Sequence, residues 1–199
     1  MTFIVFEGGE GSGKSTQAAR LASWLTGQGR DVVSTFEPGD TKVGAQIRDL
    51  LLHGDAQLDA RTELLLMLAD RAQHVTEVIR PALARGAVVI SDRYTPSTLA
   101  YQGEGRGLGV AAVEPMDAVA TGGLVPDVVI VLDVPDNLAE ARVVTVRDRL
   151  ERAGDEFHAR VRAAYRELAA DRGWRVVDGS VAPGDVELHV REAVAHLFS

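Results

Sequence analysis

Phe6-Glu7-Gly8-Gly9-Glu10-Gly11-Ser12-Gly13-Lys14-Ser15-Thr16 is the stretch on which the fold turns. Gly8, Gly13, Lys14 and Ser15 fill the spacing G-x-x-x-x-G-K-[ST] of a phosphate-binding P-loop. Glycines lack a Cβ, so the loop can curl until successive N–H groups point inward, and the positive end of the following helix completes a cradle for anionic phosphate. Lys14 would reach the β- and γ-phosphates of a nucleotide as a compact charge, and the Ser15 hydroxyl would take one position on Mg²⁺. The motif means this only between a strand and a helix. Thr2 to Phe6 is a short apolar run of β-branched and aromatic residues, and Lys14 to Gln28 carries Ala18, Leu21, Ala22 and Leu25 at helical spacing before Gly29. An ordinary Gly-rich turn explains neither flank.

The 199 residues suit one domain with a sizeable core. With 46% hydrophobic and 25% charged residues, the composition is that of a globular protein. Acidic residues number 29 against 21 basic, a net charge of -8, which argues against nucleic acid or an anionic membrane as partner. No cysteine is present, so thiolate metal sites and nucleophiles are excluded and a reducing cytosol fits. No run approaches 18 apolar residues and no basic region precedes the first apolar segment, so neither a membrane span nor a secretory leader is expected.

Outward from the loop, Asp31 to Phe36 predicts a second strand that delivers Glu37-Pro38-Gly39-Asp40 at its carboxyl end, where open α/β sheets place ligands. Thr41 can cap a helix with Val43, Ile47, Leu50 and Leu51 on one face and Arg48 off the stripe, a solvated residue or a ligand contact. Asp59 starts a long helix with Leu64, Leu65, Leu68, Ala72, Val75 and Ile79 as its apolar face, ending between Pro81 and Arg85. Its centre is interrupted by Met67, Asp70, Arg71 and Gln73, a solvated face or a ligand-facing one. Gly86 to Ser91 is a strand buried on both faces, delivering Asp92 and Arg93. The acid can serve Mg²⁺ opposite Ser15 and the Arg can grip a phosphoryl group; a structural ion pair is the plainer reading.

Tyr94 to Gly109, with Ser97, Tyr101, Gln102 and four glycines, predicts a short helix running into a flexible loop. A helix with Val113, Met116, Val119 and Ala120 on its apolar face follows, then a strand from Asp127 to Val134. Asp136 can cap a helix through Arg142 that leads to Arg147, Arg149 and Arg152, either a solvated face or a lid closing over phosphates. A helix with Phe157, Val161, Ala164 and Leu168 on one side, a strand at Trp174 to Val177 and a helix from Val186 to Leu197 complete the chain. The alternation predicts an α/β fold, a parallel sheet of about five strands with helices on both faces, the shape of P-loop hydrolases, switches and phosphoryl-transfer enzymes. Facing donor and acceptor parts, with a small lid at about 143–153, favour the P-loop kinase fold with a five-stranded sheet. A guanine-binding switch is disfavoured, because the one Lys outside the P-loop is Lys42 and the one Asn is Asn137, which cannot make Asn-Lys-x-Asp.

At this point the chain resembles the thymidylate kinase family. The matching blocks run from Glu7 to Gln17, then Glu37-Pro38-Gly39, Ala69-Asp70-Arg71-Ala72-Gln73-His74, Asp92-Arg93-Tyr94, Ser97 to Gly103, and Asp148-Arg149-Leu150-Glu151. The resemblance implies ATP-dependent conversion of dTMP to dTDP, Mg²⁺ held by Ser15 and Asp92, and a homodimer. It places ATP on Gly8 to Thr16. Carried over by position, Glu10 contacts the acceptor's sugar or phosphate, Arg71 the thymine edge and Arg93 the acceptor phosphate. Glu37, Pro38, Arg48 and Met67 line the acceptor site, Tyr101 lies against the sugar, and Ser97 and Gln102 line the base pocket. Because Gly11-Ser12-Gly13 holds no Arg, Arg147 and Arg149 of the lid are expected to join Lys14 and Arg93 in catalysis. Three departures stand out: Phe36 before Glu-Pro-Gly with Asp40 after it, Met67 where a Phe is usual, and Val143-Val144-Thr145-Val146 in place of a basic, Gly-containing lid. A kinase for another nucleoside monophosphate or a nucleoside, and an ATP-binding regulator with a degraded acceptor site, remain as alternatives.

Overall fold

The computed structural model describes residues 1–53, 57–142, 149–150 and 152–198. Five strands, β1 (Thr2–Glu7), β2 (Val32–Phe36), β3 (Val88–Asp92), β4 (Val128–Asp133) and β5 (Arg175–Asp178), form one sheet in the order β2-β3-β1-β4-β5. Every pairing is parallel. Phe6 lies opposite Asp92 on one side and Ile130 on the other, and Phe36 lies opposite Asp92. The carboxyl ends of four strands therefore meet along one edge, where the loops that carry ligands in such sheets emerge.

Strand alternation divides the core into two layers. Phe3 and Val5 of β1 face α4 (Arg80–Ala84), the π-helical turn Val75–Ile79 that joins it to α3 (Ala60–His74), and α8 (Asp155–Arg172). Ile4 and Phe6 face α1 (Lys14–Gly27) and α9 (Pro183–Val194) on the other side. Pro81 sits in the first turn of α4, where its missing N–H is tolerated. Shorter segments build the site: α2 (Lys42–Arg48) with a π turn to His53, α5 (Thr95–Thr98), α6 (Val110–Thr121) and α7 (Asp136–Arg142).

Two expectations change. The short helix after Tyr94 runs further than expected: α5 continues as a π-helical segment, Leu99–Gly105, against α8, and the loop is confined to Arg106–Gly109. A Cβ on Gly105 would stand 2.7 Å from the Phe157 ring and 2.9 Å from Val161, so glycine there permits a close helix approach. The apolar face expected for α6 is also turned, and those of α2 and α3 hold only in part, with Ile47, Leu51, Leu64, Leu68, Val75 and Ile79 inside. On α6, Val119 is 84% exposed and Met116 is partly exposed, while Val113, Asp117 and Thr121 are buried. Leu65 on α3 and Val43 and Leu50 at α2 face outward, and Glu63, Asp70, Arg71 and His74 of α3 face inward. Polar residues take the inner face because each finds a partner there, as Arg71 finds Asp117, Glu63 finds Gln102 and His74 finds Glu37.

Leu21 of α1 is fully buried among Ile4, Phe6 and the α9 valines. Leu21→Ala is expected to cost about 2–5 kcal/mol through lost transfer energy and a residual cavity. Urea unfolding checks it: the midpoint should fall with the slope unchanged.

Candidate active site

The P-loop runs from β1 into α1. A Cβ on Gly8 would meet Leu132 O at 2.5 Å and one on Gly11 would meet Ala139 O at 2.2 Å, so the loop can lie this close to β4 and α7 only as glycine. Gly13, at φ 91°, caps α1 without a side-chain hydrogen bond, which leaves the first-turn N–H groups for an anion. Lys14 is buried, and its Nζ donates to Gly9 O at 2.7 Å, spanning the loop. Burial lowers its pKa to about 8, helped by Arg93 and opposed by Asp92, Glu10 and Glu7. Ser15 Oγ donates to Asp92 Oδ2 at 2.5 Å. Oxygen ligands on the strand end and the first turn of the helix suit Mg²⁺, which takes few protein ligands when a nucleotide supplies phosphate oxygens.

Arg93 adopts φ 74°, a left-handed conformation that costs a non-glycine residue roughly 1–3 kcal/mol and persists only where the surroundings enforce it. Glu7 is the enforcing group. Its Oε1 accepts from the backbone N–H groups of Tyr94 (2.9 Å) and Ser97 (3.2 Å), and its Oε2 from Ser97 Oγ (2.6 Å) and Tyr165 OH (2.8 Å). Burial raises the Glu7 pKa, while Arg93 and these donors pull it back down. The Arg93 guanidinium then spans the P-loop and the helix after β3. Nη1 donates to Ser97 Oγ at 3.1 Å, Nη2 to Tyr101 OH at 3.4 Å, Glu10 lies 3.7 Å away, and the Tyr101 ring lies beneath at 5.1 Å.

The far wall is a buried ionic network. Arg71 donates through Nε to Glu37 (2.8 Å) and through Nη1 to Asp117 (2.5 Å) and Thr98 (2.8 Å). Glu37 also meets His74 Nδ1 at 2.8 Å, His74 Nε2 meets Thr35 at 2.5 Å, and Thr35 donates to Asp40. Asp40, a departure from the family pattern, therefore ties the acceptor loop into this network. Arg48 donates to Pro38 O at 2.6 Å and lies over the other departure, Phe36, at 5.8 Å. Met67 is half-buried against Ile47, Leu51 and Leu52.

A single cavity of about 820 Å³ joins these walls. Lys14, Ser15, Thr16, Gly11 and Gly13 line one end with Asp92, and Glu37, Pro38, Arg48, Met67 and Arg71 line the other. Glu10, Arg93, Ser97, Tyr101 and Gln102 lie between. Gly8, Gly9 and Ser12 sit on the opposite side of the loop, against β4 and α8. Arg149 is not brought to the phosphate end: its Nε donates to Leu51 O at 2.7 Å and its Nη2 to Glu63 at 2.9 Å, because a buried carboxylate draws it toward α3. Arg147, Asp148, Glu151 and Val143 to Val146 lie outside the described residues. Among the described residues no group of three or more His, Cys, Asp or Glu side chains could hold a metal alone, and no helix is long and apolar enough to cross a membrane.

The family model described as Thymidylate kinase matches residues 6–189. The chain belongs to the thymidylate kinase family. A thymidylate kinase of Leifsonia xyli subsp. xyli is 50% identical over 193 residues, covering 95% of this chain and 92% of that one. One from Cutibacterium acnes is 46% identical over 200 residues, covering 99% and 98%. The crystal structure of thymidylate kinase from Ehrlichia chaffeensis matches with a TM-score of 0.80 at 31% identity, covering 98% of each chain. For a thymidylate kinase family member, sequence reasoning missed Glu7, Glu63, Asp117, Tyr165 and Arg142. Glu7 was visible as a carboxylate at the end of an otherwise apolar strand, and Asp117 as a polar residue four positions from Val113 and from Thr121.

Asp70 is buried; its Oδ1 accepts from Gly39 N at 3.0 Å and its Oδ2 has no partner among the described residues. Burial and then Glu37 raise its pKa to about 6. The folded state thus binds the extra proton between the ordinary carboxylate pKa and 6, so this group favours folding most at low pH and loses that contribution as pH rises through 6. Asp70→Asn keeps an acceptor for Gly39 and removes the charge. It is expected to raise stability at pH 7.5 by roughly 1 kcal/mol and to change it little at pH 4, as thermal melts at the two pH values would register.

Proposed function

We propose that this chain transfers the γ-phosphoryl group of ATP to dTMP, giving ADP and dTDP. The observation that carries the reading is the continuity of the cleft: the phosphate cradle with Lys14 and Ser15 and the acceptor wall with Arg71, Arg93 and Gln102 line one cavity. Phosphoryl transfer needs donor and acceptor held in line, with charge placed around the moving group and water kept out. The P-loop amides and Lys14 take the donor phosphates. Arg93, fixed by Ser97, Tyr101 and the Glu7 scaffold, holds the acceptor phosphate toward them, and Glu10 beside it sets the acceptor's sugar.

Ser15 and Asp92 would hold Mg²⁺ on the donor phosphates, and its charge offsets theirs. Arg71 presents a guanidinium whose direction Glu37 and Asp117 determine, which suits the edge of a thymine. With Arg149 committed to Glu63, lid charge on the γ-phosphoryl group falls to Arg147 and to Arg142. The latter lines the cleft and is anchored on Gly179 O at 2.9 Å. A homodimer and a cytosolic location complete the reading. Exposed Val43 on α2, Leu50 in the π turn after it, Leu65 on α3 and Met116 and Val119 on α6 would offer apolar surface to a second copy, and α3 packs on both α2 and α6.

Lys14→Ala should lower kcat at least ~10²-fold, since it removes charge that acts on the transferring group. Near wild-type turnover in a coupled ADP-release assay would sink the P-loop assignment. The Tyr101 ring is wedged between Arg93, Phe157 and Tyr165 and cannot retreat from a 2′-hydroxyl. The deoxyribose form of the thymine acceptor is therefore expected to exceed the ribose form in kcat/KM at least ~10-fold, and equal values would reject that placement.

A further inference from the structure

Glu63 of α3 is almost fully buried and outside the cleft lining, yet it touches a residue that lines it. Its Oε1 accepts from Gln102 Nε2 at 2.9 Å and from Arg106 Nε at 3.1 Å. Its Oε2 accepts from Arg106 Nη2 at 3.0 Å and from Arg149 Nη2 at 2.9 Å. Facing two guanidiniums, it is a carboxylate that accepts and does not donate.

A glutamine amide has a donor end and an acceptor end, and half a turn about its last torsion exchanges them. Free to turn, it reads two opposite base edges. With acceptor and donor in one order it matches the N3–H and carbonyl of thymine; reversed, it matches the N3 and amino group of cytosine. In this structure the NH₂ end of Gln102 is committed to Glu63. Turned over, its carbonyl oxygen would face the carboxylate with no proton between them: Glu63 Oε1 would keep Arg106 but lose Gln102, and two buried oxygens would repel with no donor for the Gln102 carbonyl on that side.

We infer that Glu63 is a positioning residue that fixes the direction of the Gln102 amide, so that the cleft accepts pyrimidines carrying an N3–H and rejects cytosine. This rests on the reading of the cleft as a dTMP site. The same carboxylate holds Arg149, so the selecting amide is set where the lid segment meets α3.

Initial rates with ATP and either dTMP or dCMP, measured on the wild type, Glu63→Gln and Glu63→Asp, test it. The wild type should prefer dTMP by at least ~10³ in kcat/KM. Glu63→Gln offers an amide that can also donate to a turned-over Gln102. It should lose at least ~10-fold of that preference, through a higher KM for dTMP and a lower one for dCMP, with kcat for dTMP within about threefold. Glu63→Asp keeps an acceptor-only partner and should retain the preference. A Glu63 that only supported the fold would lower thermal stability and slow both acceptors together. An unchanged ratio in folded Glu63→Gln, or an equal loss in Glu63→Asp, overturns the assignment. Should Glu63→Gln not fold, the wild type decides alone: N3-methyl-dTMP should lose at least ~10²-fold in kcat/KM, and a loss under about threefold overturns it. Absence of any dTMP-dependent ADP release would instead remove the function reading itself.

Discussion

The Glu7 carboxylate at the end of β1 is the constraint on which the site depends. It is fully buried, and a buried carboxylate is tolerated only when its oxygens are filled by donors. Here the donors are the backbone of Tyr94 and Ser97 and the hydroxyls of Ser97 and Tyr165, which come from the segment after β3 and from α8. One side chain thus ties three elements together across the sheet edge. It holds Arg93 in a backbone conformation it would not choose alone. With Arg93 fixed, the guanidinium stands between the phosphate cradle and the acceptor wall.

The rest of the cleft repeats this logic with different ions. Arg71 is buried between Glu37 and Asp117, and Arg106 and Arg149 meet on Glu63. Buried ion pairs of this kind add little net stability against apolar residues of the same volume, but removing one partner strands the other. They hold direction more than they hold the fold. A site that recognises a planar base and a phosphate needs that direction. The net charge of -8 does not conflict with binding two anionic nucleotides, because Lys14, Arg48, Arg71, Arg93 and Arg142 line one cleft.

Much of this was legible in the sequence. The strand ends were read within one or two residues, because each strand is a short apolar run; their exact ends follow from register with neighbours, as when Asp92 joins β3 by pairing with Phe6. The P-loop came from its spacing together with the strand and helix that flank it, and the acceptor residues from the family blocks. The turned face of α6 was not legible, since a helix with apolar residues nearly all round gives no sign of which side meets the core. On α6 the buried stripe is Val113, Asp117 and Thr121, and the reason for it, Arg71, lies 46 residues away in the chain. Gly103 to Gly105 was misread as loop because glycine signals both turns and close packing, and Phe157 decides between them at Gly105, whereas Arg106 to Gly109 is the turn expected. The pull of Glu63 on Arg149 is likewise a tertiary fact without a local trace.

A ligand with adenosine and thymidine joined through a chain of phosphates tests the central claim, that donor and acceptor phosphates meet between Lys14 and Arg93 in one cavity. Calorimetric titration should give one site per chain, with binding abolished by saturating ATP and, separately, by saturating dTMP. Competition with only one of the two nucleotides, or two independent sites per chain, would contradict it.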